Sequence, residues 1–252
     1  MLGCRDLLLV LARRDIASRY RQSALGVLWA VLQPLGTMAI FSIIFGRLIG
    51  VPSGGVPYPL FAFAGLLPWQ FFAGSINAAG TSVINTPNLI TKVYFPRLVI
   101  PAAALGAPLL DFAVSSVLML LLAAHYSVWP SLRLLAVPGF LLLAAIAAMG
   151  VGSFVAAMAV AYRDFRHLLP FMTQSLMFLT PVIYPARMIP ASLQPLLALN
   201  PMTGVVNGMR WAWLGSEVDW RQIGLSAAVA VLLAVFGMGY FRAVERRFAD
   251  VV

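Results

Sequence analysis

The run of residues 134–161, LLAVPGFLLLAAIAAMGVGSFVAAMAVA, decides the fold class of this chain. Its 28 residues include no charged side chain. A helix needs only about 20 apolar residues to cross about 30 Å of hydrocarbon. Over all 252 residues, 62% are hydrophobic and 10% are charged. One water-soluble core cannot hide that much apolar surface, so the apolar runs are expected to face lipid.

Six such runs predict an all-α integral membrane protein with six transmembrane helices. The predicted spans are 25–45, 59–83, 99–124, 134–161, 168–183 and 223–240. A further apolar stretch, 184–214, is interrupted by four prolines and is predicted not to span. Because no segment repeats another and no low-complexity linker occurs, residues 1–252 are predicted to form a single transmembrane domain.

The distribution of positive charge predicts the orientation, because Lys and Arg are retained on the cytoplasmic side of a membrane. With a cytoplasmic N-terminus and six spans, twelve of the seventeen Lys and Arg residues lie inside. These twelve are Arg5, Arg13, Arg14, Arg19, Arg21, Lys92, Arg97, Arg163, Arg166, Arg242, Arg246 and Arg247. Both termini are therefore predicted to be cytoplasmic, in a multi-pass membrane protein.

The first residues, 1–22, predict a helix that lies in the membrane interface. This segment has five arginines for lipid phosphates, and the alternative is that these arginines only fix the topology. The net charge of +9 indicates a membrane surface and no nucleic acid, since no segment combines a basic stripe with an aqueous fold. The side chains expected to face lipid are Leu8, Leu9, Leu11, Ala12 and Ile16.

Residues for catalysis or metal binding are not evident in the sequence. Lys92, the only lysine, does not follow a Gly-rich phosphate loop, so ATP would have to bind a separate subunit. Cys4, the only cysteine, excludes an intramolecular disulfide. His125 and His167 are predicted at opposite membrane faces, which argues against an intramembrane protease. Ser153, within GVGS, is predicted to pack helices closely instead.

Asp111 is the one carboxylate deep in a predicted span. An ionised group there costs about 2.5–3.5 kcal/mol unless it finds a partner. Asp111 is therefore expected to face the bundle, either in a substrate path or as a hydrogen-bonding contact between helices. Arg210 and Trp29 are further candidates for the channel or bundle interior, although Trp29 also fits an interfacial anchor.

Two polar islands are predicted in the cytoplasm. The first, 85–97, reads NTPNLITKVYFPR and is more apolar than a solvated loop needs, which predicts a short helix that docks on a partner. The second, 162–167, is shorter and more charged. Together they supply the candidate coupling residues Asn88, Lys92, Tyr94, Arg97, Arg163, Asp164 and Arg166.

Six stretches occur in an order and spacing that resembles the permeases of ABC-2 type exporters of O-antigen, teichoic acid and capsular polysaccharide. They are YRQSALGVLWAVLQPL, PYPLFAFAGLLPWQFF, NLITKVYFPRLVIP, YRDFRHLLPF, TPVIYP and LNPMTGVVNGMRW. The resemblance covers nearly the whole chain. It implies a homodimer of six-span permeases, paired with two copies of a P-loop ATPase subunit that binds ATP and Mg.

The same resemblance implies a substrate and a path. A polysaccharide linked to undecaprenyl pyrophosphate would move from cytoplasm to periplasm through a channel at the dimer interface. Segment 85–97 would hold the coupling helix, 1–22 would lie beside a lateral lipid entrance, and 184–214 would form short re-entrant gate helices. A pyrophosphate is multiply charged, so arginines at the cytoplasmic surface are expected to attract it. The candidates are Arg13, Arg14, Arg19 and Arg21.

A secondary carrier or passive flippase for a lipid-linked sugar is the alternative function. A single intramembrane carboxylate makes a proton-coupled carrier the weaker hypothesis. A neighbouring reading frame that encodes a soluble P-loop ATPase would favour the exporter. A membrane hydrolase or transferase, the third class, would need a nucleophile and a base at one depth, and the sequence suggests no such pair.

Overall fold

In a computed structural model, the described residues form helices, turns and irregular segments, with no strand among them. The structure describes residues 4–21, 28–86, 95–129, 131–162, 164–190, 192–245 and 248. The helices are α1 (Cys4–Arg21), α2 (Trp29–Phe41), α3 (Tyr58–Ser82), α4 (Val99–Ala104), α5 (Gly106–His125), α6 (Val137–Ala161), α7 (Phe165–Leu179), α8 (Gln194–Ala198), α9 (Pro201–Leu214) and α10 (Trp220–Val244). A π-helix, Ser42–Leu48, continues α2, and 3₁₀ turns at Leu132–Ala136 and Ala186–Met188 precede α6 and α8.

Five helical stretches of the described chain are long and apolar enough to cross a membrane. They are Trp29–Leu48, Tyr58–Ser82, Val99–His125, Leu132–Ala161 and Trp220–Val244. These stretches correspond to five of the six predicted spans. The prediction of an all-helical, multi-pass membrane protein is confirmed to that extent.

The predicted fifth span, 168–183, corresponds to a shorter helix. α7 has 15 residues, which at 1.5 Å per residue gives a length of about 22 Å, less than the hydrocarbon thickness of about 30 Å. The helix ends because Thr180 is extended, with φ −97° and ψ 139°, as the residue before a proline prefers to be. The count of six spans therefore stays a prediction.

Helix α3 passes through the centre of the bundle. Of its most apolar 18-residue window, 78% is buried, against 17–33% for the other four long stretches. α3 packs against α5, α6 and α9, while α2 lies at the edge and contacts α3 and α5. Because α3 is surrounded by protein, its polar side chains face cavities and neighbouring helices instead of lipid.

Small residues bring α6 into backbone contact with its neighbours. A Cβ added to Gly237 of α10 would overlap the Gly150 carbonyl oxygen, and one added to Gly152 would lie 2.7 Å from the Ala79 Cβ. Ser153, which follows Gly152 in α6, is fully buried. In lipid no hydrophobic driving force brings helices together, so they associate through van der Waals packing, which small residues make closer. The predicted packing role of the GVGS sequence is confirmed.

The segment 184–214 folds back onto the bundle as α8 and α9, neither of which is long enough to span. Asn200 caps α9 by accepting a hydrogen bond from the Met202 amide at 3.0 Å. Gly215 ends α9 in the left-handed region, with φ 71°. α9 is buried against α3, α6 and α10. Its predicted role as a re-entrant gate stays a prediction.

Helix α1 packs along α4 and the start of α5. Leu11 is 4% exposed and belongs to a cluster with Val99 and Ala103. A Cβ added to Gly106 would lie 3.0 Å from the Ala12 Cβ. The expectation that Leu11 and Ala12 face lipid is therefore wrong, because both face protein.

Candidate functional site

A cavity of about 600 Å³ lies between the C-terminal end of α1 and helices α2, α3 and α5. We call it the Asp111 cavity. Its wall combines aromatic rings with amide side chains, an arrangement suited to a ligand with both flat and hydrogen-bonding surfaces. The lining includes Trp29, Gln33, Trp69, Gln70, Phe71 and Asn77.

Two donors from α1 hold the carboxylate of Asp111 at the wall of this cavity. Arg19 Nη2 lies 2.9 Å from Asp111 Oδ2, and the Tyr20 hydroxyl donates a hydrogen bond to Asp111 Oδ1. Burial, together with the hydrogen bond to Asp111, raises the pKa of Tyr20 to about 12. Tyr20 therefore remains a hydrogen-bond donor at any physiological pH.

The structure brings Trp29 and Asp111 into one cavity and places Arg210 elsewhere. Trp29 lines the Asp111 cavity but is 53% exposed in the single chain. Ser115, one turn beyond Asp111, donates a hydrogen bond to the Ala30 carbonyl at 3.3 Å and so ties α5 to α2. Asp111 is thus neither lipid-facing nor unpaired.

The four arginines predicted to attract pyrophosphate differ in their surroundings. Arg19 lines the Asp111 cavity. Arg13 is exposed, and Arg14 pairs at 2.9 Å with its neighbour Asp15 on the surface of α1. The side chain of Arg21 lies outside the described residues. Among the described members of this set, Arg19 is the one that lines the cavity.

Arg210 is buried, with 2% of its surface exposed, and its guanidinium donates to backbone carbonyls from two other parts of the chain. The acceptors after α7 are Pro181 at 2.6 Å, Val182, and Tyr184 at 3.5 Å. The acceptor in α3 is Phe61, at 3.3 Å. One side chain of α9 therefore joins the start of α3 to the turn that ends α7.

Two residues of α3 form the surface against which this guanidinium packs. The Arg210 Cζ lies 3.7 Å from the centroid of the Phe61 ring, a cation–π contact. A Cβ on Gly65 would lie 2.8 Å from both Arg210 Nη2 and the Val182 carbonyl oxygen. Gly65 is therefore needed for the guanidinium to approach the α3 backbone. The expectation of an interior Arg210 agrees with this burial.

A second cavity, of about 550 Å³, opens beside Arg210 at the N-terminal end of α3. We call it the Arg210 cavity. Phe61 lines it and Leu66 lines the Asp111 cavity, so about 7.5 Å of helix rise separates the two along α3. Other residues that line the Arg210 cavity are Arg187, Gln194, Asn207, Glu217, Asp219 and Gln222.

Most of the predicted coupling residues cannot be placed. Asp164 is exposed immediately before α7. Arg97 is half-buried, and its guanidinium donates to the Glu245 carbonyl at the end of α10. The others, Asn88, Lys92, Tyr94, Arg163 and the side chain of Arg166, lie outside the described residues.

Sequence reasoning missed Tyr20 and the amides of α2 and α3 as members of the site. The position of Tyr20 at the membrane interface indicates an aromatic anchor, and nothing in the sequence indicates that Tyr20 contacts Asp111. Polar residues spaced along a central span, such as Gln70 and Asn77, are the pattern that predicts a cavity-facing stripe. In the part of the chain that the structure describes, no group of three His, Cys, Asp or Glu side chains is arranged to hold a metal ion.

The family model described as "ABC-2 type transporter" matches residues 6–214, more than four-fifths of the chain. The chain belongs to the ABC-2 type transporter family. The matched range includes Arg19, Asp111 and Arg210, so both cavities lie mainly within the family's membrane region.

Individual relatives of this family are similar along nearly the whole chain. The O-antigen export system permease protein RfbA of Myxococcus xanthus is 30% identical over 251 residues, covering 98% of this chain and 95% of the relative. RfbA of Klebsiella pneumoniae is 28% identical over 249 residues, with the same two shares. The polysialic acid transport protein KpsM of Escherichia coli is 27% identical over 237 residues, covering 92% and 91%.

Proposed function

We propose that this chain is the membrane-spanning subunit of an ATP-driven exporter that moves a polysaccharide linked to undecaprenyl pyrophosphate from cytoplasm to periplasm. The observation that carries the proposal is the full-length similarity to an O-antigen export permease, which covers 98% of this chain and 95% of that protein. The similarity extends along nearly the whole of both chains and is not confined to one motif.

The proposed assembly is a homodimer in the bacterial inner membrane, with two copies of a P-loop ATPase that binds ATP and Mg. Both termini are cytoplasmic, and α7 with the following turn is the fifth of six spans. The strongly exposed side chains of α7 support a face turned to lipid or to a second copy, since Phe171 is 68% exposed and Leu179 is 63% exposed. Segment 85–97 docks on the ATPase.

The lining of the Asp111 cavity supports a glycan lipid as the substrate. Trp29 and Trp69 offer flat apolar faces to sugar rings, while Gln33, Gln70 and Asn77 offer donors and acceptors to hydroxyl groups. Arg19 offers a charge to the pyrophosphate. The cavity thus combines the contacts that the two parts of such a molecule require.

The test is reconstitution of the chain with its partner P-loop ATPase, in inside-out vesicles that contain the lipid-linked glycan. We expect ATP-dependent movement of the glycan into the vesicle lumen, measured by protection from an added glycosidase. Replacement of Arg13, Arg14, Arg19 and Arg21 by Gln is expected to abolish this movement while membrane insertion remains normal. Normal export by the correctly inserted fourfold variant would refute the assigned entrance.

A further inference from the structure

Asp111 is held by two donors of α1 in a cavity with room for a ligand. The volume of about 600 Å³ lies within the range of about 300–1,000 Å³ that is usual for small-molecule sites. The side chains of Arg19 and Asp111 are 47% and 24% exposed. A ligand in the cavity can therefore reach both groups without unfolding α1.

The two groups that donate to Asp111, the Arg19 guanidinium and the Tyr20 hydroxyl, are also groups suited to bind a phosphate. A guanidinium forms charge-assisted hydrogen bonds with phosphate oxygens, and the Tyr20 hydroxyl supplies a second donor. The Asp111 carboxylate thus occupies the position of a phosphate group. Because a partly exposed ion pair contributes little free energy, an anion with more charge and more acceptor oxygens can replace it.

Packing elsewhere on α1 keeps these donors in place when Asp111 leaves them. Leu11 is buried against Val99 and Ala103, and Ala12 approaches Gly106 closely. These contacts are apolar and do not depend on the ion pair. The helix therefore stays docked while its C-terminal end exchanges one anion for another.

We propose that Asp111 is the resting counter-ion of an anion-exchange site, and that the pyrophosphate of the transported lipid displaces it from Arg19 and Tyr20. This rests on the proposed function, which supplies the pyrophosphate lipid. In the resting state Asp111 competes with every anion for Arg19 by the same factor, so preference for pyrophosphate over a headgroup with a single charge comes from the larger number of charge-assisted contacts that pyrophosphate makes. Asp111 thus lowers the affinity of the empty site for anions, and Arg19 and Tyr20 bind the anion that replaces it.

The direction of the effect of Asp111→Asn separates this role from a merely structural one. The full-length protein in phosphatidylcholine nanodiscs is titrated with undecaprenyl pyrophosphate, with phosphatidylglycerol, or with inorganic pyrophosphate in solution. We expect Asp111→Asn to strengthen binding of undecaprenyl pyrophosphate on the order of threefold, which corresponds to the free energy of a partly exposed ion pair. Arg19→Gln is expected to weaken it. Phosphatidylglycerol is expected to bind more weakly than undecaprenyl pyrophosphate to both proteins, with a similar gain in Asp111→Asn. Unchanged or weaker binding of undecaprenyl pyrophosphate to Asp111→Asn overturns the proposal.

The matched control is Asp15→Asn, which removes the same charge from an arginine pair of the same length, 2.9 Å, outside the cavity. Its binding is expected to equal that of the wild type. An equal gain in both variants would assign the effect to net charge and overturn the exchange.

A measurement on the wild type does not depend on any variant folding. Labelling of carboxyl groups with a carbodiimide, read by mass spectrometry, is expected to increase at Asp111 when undecaprenyl pyrophosphate is added and to stay constant at Asp15. Constant or reduced labelling of Asp111 contradicts displacement. A wild type that binds neither lipid-linked nor inorganic pyrophosphate overturns the proposed function together with the pyrophosphate assignment. Binding by the wild type without a gain in Asp111→Asn overturns the exchange alone.

Discussion

Asp111 and Arg210 are both charged residues in apolar parts of the chain, and the fold satisfies them in opposite ways. Asp111 has a charged partner and a hydroxyl donor, and its side chain remains 24% exposed. Arg210 is 2% exposed and donates only to backbone carbonyls and to the ring of Phe61. In the described residues, the ion pairs are Arg19–Asp111 and Arg14–Asp15, and neither involves Arg210.

The difference indicates which site can change its contacts. A partly exposed ion pair can exchange one partner for another anion or for water at small cost. A guanidinium enclosed by carbonyls of two segments cannot, because each acceptor it leaves stays buried without a donor. The Asp111 cavity therefore suits ligand exchange, and the Arg210 contacts suit a fixed joint between α3, α9 and the end of α7.

Arg210→Met is expected to have the largest effect. It leaves carbonyl oxygens of Pro181 and Val182 without their donor, and each such group costs about 1–3 kcal/mol, so a loss of about 3 kcal/mol or more in unfolding free energy is expected. Thermal unfolding of the purified protein in detergent measures it. The control is Arg187→Met, an exposed arginine of the same cavity, with an expected change within about 0.5 kcal/mol. Equal stability of the two variants would contradict a joint at Arg210.

Gly65→Ala tests the same joint by adding one methyl group. The new Cβ would lie 2.8 Å from Arg210 Nη2 and from the Val182 carbonyl oxygen. We expect a loss of about 1–3 kcal/mol, because the backbone oxygen cannot move aside as a flexible side chain can. Gly36→Ala is the control, since nothing lies within 4 Å of a Cβ there. That variant is expected to be neutral, or more stable by up to about 1 kcal/mol. If both variants unfold at the same temperature, the guanidinium does not sit against Gly65.

The sequence predicts the parts of this fold that depend on local composition. Five spans follow from the length of the apolar runs, and the close packing of α6 follows from small residues such as Gly150, although its partner α10 does not. The length of α7 follows only in part: Thr180 before Pro181 favours an end of the helix there, but the turn is also held from outside the run. Asn200 donates to the Thr180 hydroxyl at 2.8 Å, and Arg210 binds the carbonyls that come next.

The contacts of α1 are hidden from sequence for another physical reason. Lipid tails and helix surfaces are equally apolar, so a leucine such as Leu11 gives the same signal whether it faces one or the other. The partner of Asp111 is also distant, since Tyr20 precedes it by 91 positions. A carboxylate in a span predicts that a partner exists, and only the fold identifies which one.

The smallest effect on stability is expected at the Arg19–Asp111 pair. Because both side chains are partly exposed, Arg19→Gln is expected to lower the unfolding free energy by only about 0.2–1 kcal/mol. Arg14→Gln, which breaks the more exposed pair with Asp15, is the matched control and is expected to change it no more than that. A loss from Arg19→Gln as large as that from Arg210→Met would mean that Asp111 is a fixed structural contact, and the contrast between the two sites would fail.

Salt sharpens the same contrast. The Debye length falls from about 10 Å at 0.1 M salt to about 3 Å at 1 M, so an exposed ion pair contributes less at the higher concentration. The small loss from Arg19→Gln is therefore expected to shrink in 1 M salt, as measured by the same unfolding experiment. The loss from Arg210→Met is expected to remain, because the contacts it removes are buried hydrogen bonds to uncharged carbonyls. If the losses in unfolding free energy from Arg19→Gln and Arg210→Met depended equally on salt, solvent would reach both charges alike. Arg210 would then not be enclosed by protein.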